Sequence, residues 1–328
     1  MKNLTIILTV FTGFVLTGRL TSQTCCSGGV PLSGNVGFTD ATPKAFQFEL
    51  SYDYNSLSIL KFEDKRLNDN SRRRLTQSGL FKFSYAFNNY FAVDALFSYV
   101  LQERRITNFD VINTDKTKGP GDAVILLKYI LPVSNEKSTR LQLGIGPKLP
   151  LGRHNLRNSN GISLNADLQP GSGSWDLIGW ANISRPLALR PSFTFSSSIT
   201  ARINGTNNKY FETEKYKFGN SMQILAGAGD RFTVGTIMMD PSLSFRYRRA
   251  WEDKINNVIL DNTGGMWLFI NPSLGISPFP NFIFNIIPEI PVYSKVVGTQ
   301  LTPTFRLKFG VYYLFKKKEK ITFKTRRI

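Results

Sequence analysis

The stretch "KAFQFELSYDYNS", residues 44–56, decides the fold. Phe46, Phe48, Leu50, Tyr52 and Tyr54 share one parity; Gln47, Glu49, Ser51, Asp53 and Asn55 share the other. A period of two is a β-strand with one apolar and one polar face. The run is longer than the usual strand of about 5–6 residues. The question it poses is what the apolar face touches.

The pattern returns along the chain. "LFKFSYAF" sets Phe81, Phe83, Tyr85 and Phe87 against Lys82 and Ser84. "YFAVDALFSYVLQ" sets Phe91, Val93, Ala95, Phe97, Tyr99 and Leu101 against Asp94, Ser98 and Gln102. "DAVILLKYIL" carries Lys128 on its minor face, and "RLQLGIGPKLP" carries Lys148 opposite Leu143 and Ile145. "SWDLIGWANIS", "SFTFSSSITARI", "SMQILAGA", "SLSFRYR", "MWLFINPSLGI", "FIFNIIPEIPVY" and "TFRLKFGVYYLF" follow. The count is about twelve, an even number of the kind bacterial outer-membrane barrels have. No helical period stands out beyond the N-terminus, and no tandem repeat does.

The connections take turns between long and short. "LSILKFEDKRLNDNSRRRL", "ERRITNFDVINTDKTKGPG", "LGRHNLRNSNGISLNADLQPGSG", "NGTNNKYFETEKYKFG" and "AWEDKINNVILDNTGG" are long. "NN", "PVSNEKST", "RPLA", "GDRF" and "PFPN" are short, and "SKVVGTQ" is moderate. A barrel with short periplasmic turns and longer extracellular loops has this rhythm, and it puts both termini in the periplasm. About twelve strands enclose more space than the interior that side chains just fill at about eight. Aromatics such as Tyr52, Tyr85, Phe91, Trp175 and Tyr313 bound the apolar faces, as at membrane interfaces. The fold expected is therefore all-β, an antiparallel transmembrane β-barrel over residues 44–315, with its apolar faces on lipid. A secreted soluble β protein is the competing reading.

The termini carry separate signals. "LTIILTVFTGFVLT" behind Lys2 predicts a secretory signal peptide over residues 1–23. A lipoprotein is disfavoured because Thr24, and no small residue, precedes Cys25. Cys25 and Cys26 are adjacent and cannot staple distant parts of a fold. An inert tail, a vicinal disulfide and a soft-metal pair all stay open for them. Residues 24–43, Gly-rich, form a lead-in or a segment folded into the barrel mouth, and residues 316–328 form a basic tail that offers a surface to a periplasmic partner. The 328-residue chain has a formal net charge of +18 and a mean hydropathy of −0.15. A secreted chain of this charge meets anionic lipid, lipopolysaccharide phosphates and anionic solutes before it meets nucleic acid.

Three stretches carry a family resemblance: "GPGDAVILLKY" (119–129), "GPKLPLG" (146–152) and "LQPGSGSWD" (168–176). They resemble the outer-membrane transporter family named for the meta-pathway of phenol degradation, related to the long-chain fatty-acid channels. "PVYSKVVGTQL" (291–301) and "SQTCCSGGVPLSG" (22–34) resemble its Bacteroidetes-type branch. Leu151 stands where the family tends to have threonine, and the basic tail departs from an ending at the last aromatic residue. The resemblance implies a barrel that passes small molecules, hydrophobic or aromatic ones among them.

Catalytic signals are sparse. His154 is the one histidine, and neither Ser159 nor Ser163 beside it sits in a nucleophile motif. Zinc catalysis usually takes three protein ligands, often histidines, and no cofactor is expected. "GAGDRF" lacks the Gly-Lys-Ser/Thr of a phosphate loop and predicts a hairpin turn. The interior remains. Parity puts Lys82, Lys128, Lys148, Arg202, Arg246, Arg248, Arg306 and Lys308 inside, with Glu49, Asp53, Asp94, Asp122, Asp176 and Glu289. These charges either pair into a packing network or form basic rings that favour anions. The function expected is a passive outer-membrane channel, not an enzyme. A non-conducting structural or secretion-system barrel that binds a protein partner is the alternative, and a surface lipid-modifying enzyme the weaker one.

Overall fold

A computed structural model describes residues 45–109, 111–132 and 139–315. The signal segment, Cys25 and Cys26, residues 24–43, most of "PVSNEKST" and the basic tail lie outside the described residues. Twelve strands form the wall. They are β1 (Phe46–Phe62), β2 (Arg72–Ala86), β3 (Phe91–Asn108), β4 (Ala123–Pro132), β5 (Arg140–Leu149) and β6 (Asp176–Leu187). Then come β7 (Arg190–Asn204), β8 (Ser221–Gly229), β9 (Ile237–Ala250), β10 (Gly265–Ser277), β11 (Phe282–Val296) and β12 (Thr299–Phe315). Each pairs antiparallel with the next, and β1 pairs with β12 from Phe46↔Phe315 to Phe62↔Thr299. The wall is closed, so every strand has two neighbours and no edge is left unpaired.

The apolar faces point outward. Leu50, Tyr52, Phe81, Phe97, Leu127, Ile145, Phe245 and Phe309 are exposed, and between them Glu49, Ser51, Lys82, Asp94 and Lys128 are buried. A water-soluble barrel would have the opposite arrangement. Exposed apolar surface on this scale belongs against a membrane or a partner. Aromatic pairs gather where the chain enters and leaves the wall. Phe46–Phe315, Tyr85–Phe87, Phe91–Tyr129 and Tyr313–Phe315 are ring pairs at 6.1, 5.1, 5.1 and 4.2 Å. This near end therefore has a girdle, and the long connections lie at the far end.

Four boundaries differ from expectation. The stretch after Ser56 is strand, not loop: β1 runs on to Phe62 past register shifts at Ser56–Leu57 and Leu57–Ile59. The bulge flips the parity there, which breaks the period of two. Leu57 and Leu60 turn inward and pack on Leu301. "ERRITNFDVINTDKTKGPG" is a hairpin extension, with Val111–Pro120 paired to β3 from Asn108↔Val111 to Tyr99↔Pro120. It projects beyond the apolar band, so neither of its faces needs apolar residues and the sequence shows no alternation. The turn is not at "GDRF": Phe232–Val234 pairs back on β9, and the chain reverses at Gly235-Thr236, with Gly235 at φ +61°. A glycine with positive φ at the first central position fits a two-residue hairpin. The last far-end connection is only Val297-Gly298, with Gly298 at φ +65°.

Candidate functional site: the charged interior and the loop across the far mouth

Inside the wall, buried charges form two chains. Lys128 meets Asp94 at 2.7 Å, Lys82 lies 4.0 Å from Asp94 and 3.6 Å from Glu49, and Lys308 meets Glu49 at 3.0 Å. The second chain links Asp53 to Arg306 at 2.8 Å, Arg306 to Glu289 at 3.8 Å, and Glu289 to Arg246 at 2.5 Å. Strand alternation places these groups, because residues of one parity face one side. Both chains cross the seam between β1 and β12. Two guanidinium groups also lie over aromatic rings: Arg246 is 4.3 Å from the Phe269 centroid and Arg248 is 5.4 Å from that of Trp267. A buried apolar patch of Leu80, Leu96, Val124, Leu126, Ile178 and Trp180 occupies another part of the inner wall.

The connection 150–175, between β5 and β6, is built differently. Its residues Leu164 to Ser174 are almost all buried. Asp122 holds its base. It accepts from Gly152 N at 3.1 Å, Ser172 N at 3.0 Å, Ser172 Oγ at 2.7 Å and Lys148 Nζ at 2.7 Å. Lys148 also meets Asp176 at 2.9 Å. Gly152 and Gly171 touch: a Cβ on Gly171 would lie 2.5 Å from the Gly152 carbonyl carbon and 2.8 Å from Asp122 Oδ1. Only glycine lets the two backbones approach this closely. The three stretches "GPGD", "GPKLPLG" and "LQPGSGSWD" are thus one physical knot.

The tip is a 3₁₀ turn, Ala166–Leu168. Asp167 receives a hydrogen bond from Arg74 of β2 at 2.8 Å, and Leu168 O accepts from Thr117 at 2.7 Å. Arg74 also donates to Gln102, and Gln102 donates to Gln169 O at 3.3 Å. On its other side Ala166 packs with Tyr210, Tyr216 and Phe218. Tyr210 and Tyr216 belong to a second, four-stranded sheet of Asn207–Tyr210, Glu214–Lys217, Lys254–Ile255 and Val258–Ile259, and Phe218 directly follows its second strand. The loop thus reaches from β2 and β3 to the connections after β7 and β9, across the far mouth.

Asp253 ties this outer sheet together. It accepts from Tyr216 Oη at 2.6 Å and from Gly219 N at 2.7 Å. Burial raises its carboxyl to about 6, against the hydrogen bonds from Gly219 and Tyr216, which lower it. Burial, and then the charge of Asp253, push the Tyr216 hydroxyl well above its ordinary range.

Of the residues singled out in the sequence, Lys82, Asp94, Lys128, Arg246, Glu289, Arg306 and Lys308 lie in the two chains on the wall. Lys148 stands apart, in the knot. Arg202 is buried on β7, opposite Ile178 and Ser221. Arg248 is half-buried over Trp267. His154 is in the inserted loop, its Nδ1 at 3.2 Å from Gly152 O. Among the described residues no three His, Cys, Asp or Glu side chains gather as metal ligands. Arg74, Asp167, Gln169, Ser172, Tyr216 and Asp253 were not foreseen. Their one sequence signal is the run of small residues in "PGSGS", which marks close backbone packing.

The chain matches no family model and none of the curated proteins. Among solved structures it resembles the COG4313 outer membrane channel from Pseudomonas putida F1, at 11% identity and TM-score 0.68, over 86% of this chain and 100% of that one. It also resembles, more loosely, the transport unit of the autotransporter AIDA-I from Escherichia coli, at 9% identity and TM-score 0.49, over 86% and 93%. The beta domain of the Bordetella autotransporter BrkA matches at 9% identity and TM-score 0.46, over 83% and 100%. At these identities the likeness defines architecture: the fold is that of the outer-membrane β-barrels.

Proposed function

We propose that the protein is an outer-membrane channel for the passive passage of small molecules. In this reading both termini are periplasmic and loop 150–175 sets the constriction at the outer mouth. The observation that carries it is a polar, ion-paired interior inside an apolar exterior, with a packed loop laid across one mouth. The COG4313 outer membrane channel shares the architecture. The inner wall alternates neutralised charges with apolar surface, namely the Leu80–Trp180 patch and the Trp267–Phe269 pair. A wall of this kind suits solutes with an apolar or aromatic body and a polar end, in keeping with the resemblance to the phenol meta-pathway family. Lys82, Asp94, Lys128, Arg202, Arg246, Arg248, Glu289, Arg306 and Lys308 would line the path, with Lys148 holding the loop. Because Arg246, Arg306 and Lys308 each have an acid partner, selectivity for anions is expected to be weak. Planar-bilayer recording of the purified protein tests this reading. Discrete conductance steps with a small reversal potential in a salt gradient are expected, and no steps over repeated insertions would overturn the channel.

A further inference from the structure

The outer wall of the β2–β3 hairpin carries charge where the apolar band stops. Arg73 and Arg105 are direct cross-strand partners on its outward face, and both are exposed. Like charges placed directly opposite each other destabilise a strand pair. One acid is near. Glu103, two residues before Arg105, lies 2.5 Å from Arg105 Nε and 3.4 Å from Lys116 Nζ. The side chains of Arg105 and Lys116 remain 58% and 69% exposed, so the pairing orients them without covering them. Lys118 is exposed next to Leu101, its partner on β3. Among the described residues the side chains of Arg73 and Lys118 make no ion pair. Toward the near end the same face turns apolar, with Tyr99, Leu101, Phe97 and Phe81 exposed.

We propose that this face binds the phosphorylated headgroup of lipid A, with its acyl chains along Phe81, Phe97 and Leu101. Among the described residues of this face, four cations against one acid, at the upper edge of an apolar wall, match a ligand that has phosphates above hydrocarbon. The arginines offer forked donors suited to phosphate oxygens. Glu103 holds Arg105 and Lys116 in place beforehand, which lowers the ordering cost of binding. The anion also relieves the Arg73–Arg105 repulsion, which Glu103 offsets only on the Arg105 side. The placement of this rim in the outer leaflet rests on the orientation proposed above.

Native mass spectrometry of the detergent-purified full chain, titrated with lipid A, dephosphorylated lipid A and phosphatidylglycerol, tests the proposal. Lipid A is expected to bind, and removal of its phosphates to weaken binding by about tenfold or more. This comparison needs no variant. Arg73→Gln with Arg105→Gln should weaken lipid A binding comparably, while Lys295→Gln, an exposed cation on β11, should not. Equal binding of dephosphorylated lipid A, or of phosphatidylglycerol, would overturn the proposal, as would full binding by a folded double variant. Conductance and surface labelling of Asn70→Cys in intact cells are read separately, so failure of the channel or of its orientation shows independently of lipid binding.

Discussion

Two sets of buried charge sit in this barrel and are held in different ways. In the wall, side chains answer side chains: Lys128, Asp94, Lys82, Glu49 and Lys308 follow one another across neighbouring strands. In the knot, one carboxylate answers main chain as well as charge: Asp122 receives the amides of Gly152 and Ser172 besides the Lys148 ammonium. The wall chains span strands that backbone pairing already fixes. The knot fixes a loop that single main-chain bonds, such as Arg153 N to Pro120 O at 3.1 Å, tie to the wall in place of a strand ladder. A charge lost from the wall costs an ion pair, whereas a charge lost from the knot costs a conformation.

The largest effect should therefore come from Asp122→Ala. It leaves two buried amides and the Ser172 hydroxyl without this acceptor, and leaves Lys148 with Asp176 as its one charged partner beside the Ser172 hydroxyl. Breaking a buried charge cluster by removing one partner costs about 3–5 kcal/mol. Much of that should fall on the loop, because the wall keeps its backbone ladder. Urea unfolding and single-channel recording together check it: a lowered midpoint with a raised conductance is expected. Asp122→Asn keeps an acceptor and should lose less on both counts. Unchanged conductance with an unfolded loop would show that the loop does not set the constriction.

Glu49→Gln makes the matching test on the wall. Lys308 loses its partner at 3.0 Å, while Lys82 keeps Asp94 at 4.0 Å. An orphaned buried charged donor costs about 1–3 kcal/mol or somewhat more. The amide of the variant still accepts a hydrogen bond, so the lower half of that range is expected. The seam between β1 and β12 should weaken, seen as a lower urea midpoint, with conductance nearly unchanged. A rise in conductance as large as that of Asp122→Ala would erase the distinction between wall and knot.

The same distinction explains what the sequence could tell. Wall residues follow from parity alone: once Phe81 and Phe83 face out, Lys82 must face in, with Glu49 its register partner on β1 and Asp94, the partner of Ser84, on the diagonal on β3. Parity failed where the period itself broke, at the Leu57 bulge, and where no membrane imposed it, in the hairpin of Asn108 and Val111. The pairing of Arg246 with Glu289 needs the order of strands around the closed wall, which adjacent-strand patterning leaves open. The knot is harder still. Lys148 and Asp122 are placed by parity, but Ser172 reaches Asp122 only because loop 150–175 turns inward. Asp167 meets Arg74 across 93 residues of chain. A polar loop that folds into a barrel and one that extends into water have the same composition, so the choice rests on tertiary contacts.

The smallest effect sharpens the comparison at the outer sheet, where a third carboxylate combines both habits. Asp253 accepts the Gly219 amide, as Asp122 accepts amides, yet it has no ammonium beside it. Its carboxyl is raised by burial from the ordinary 3.8 to about 6, with Asp167 adding to the rise and Arg202 opposing it. The sign follows from linkage. A closed sheet in which the carboxyl titrates near 6 holds its proton more tightly than an opened one in which it titrates near 3.8. Closure is therefore strengthened as pH falls through 6 and is fully favoured below 3.8, and that gain is lost as pH rises past 6. A shift of two units corresponds to at most about 3 kcal/mol. Asp253 is only half-buried, so water screening should bring the change to about 1–2 kcal/mol. Hydrogen exchange at the Gly219 amide, corrected for intrinsic rates, should show more protection at pH 5 than at pH 7.5. In Asp253→Asn the difference should vanish, because the amide keeps an acceptor and carries no titrating charge. Equal protection at the two pH values in the native protein would mean that the sheet opens without exposing Asp253.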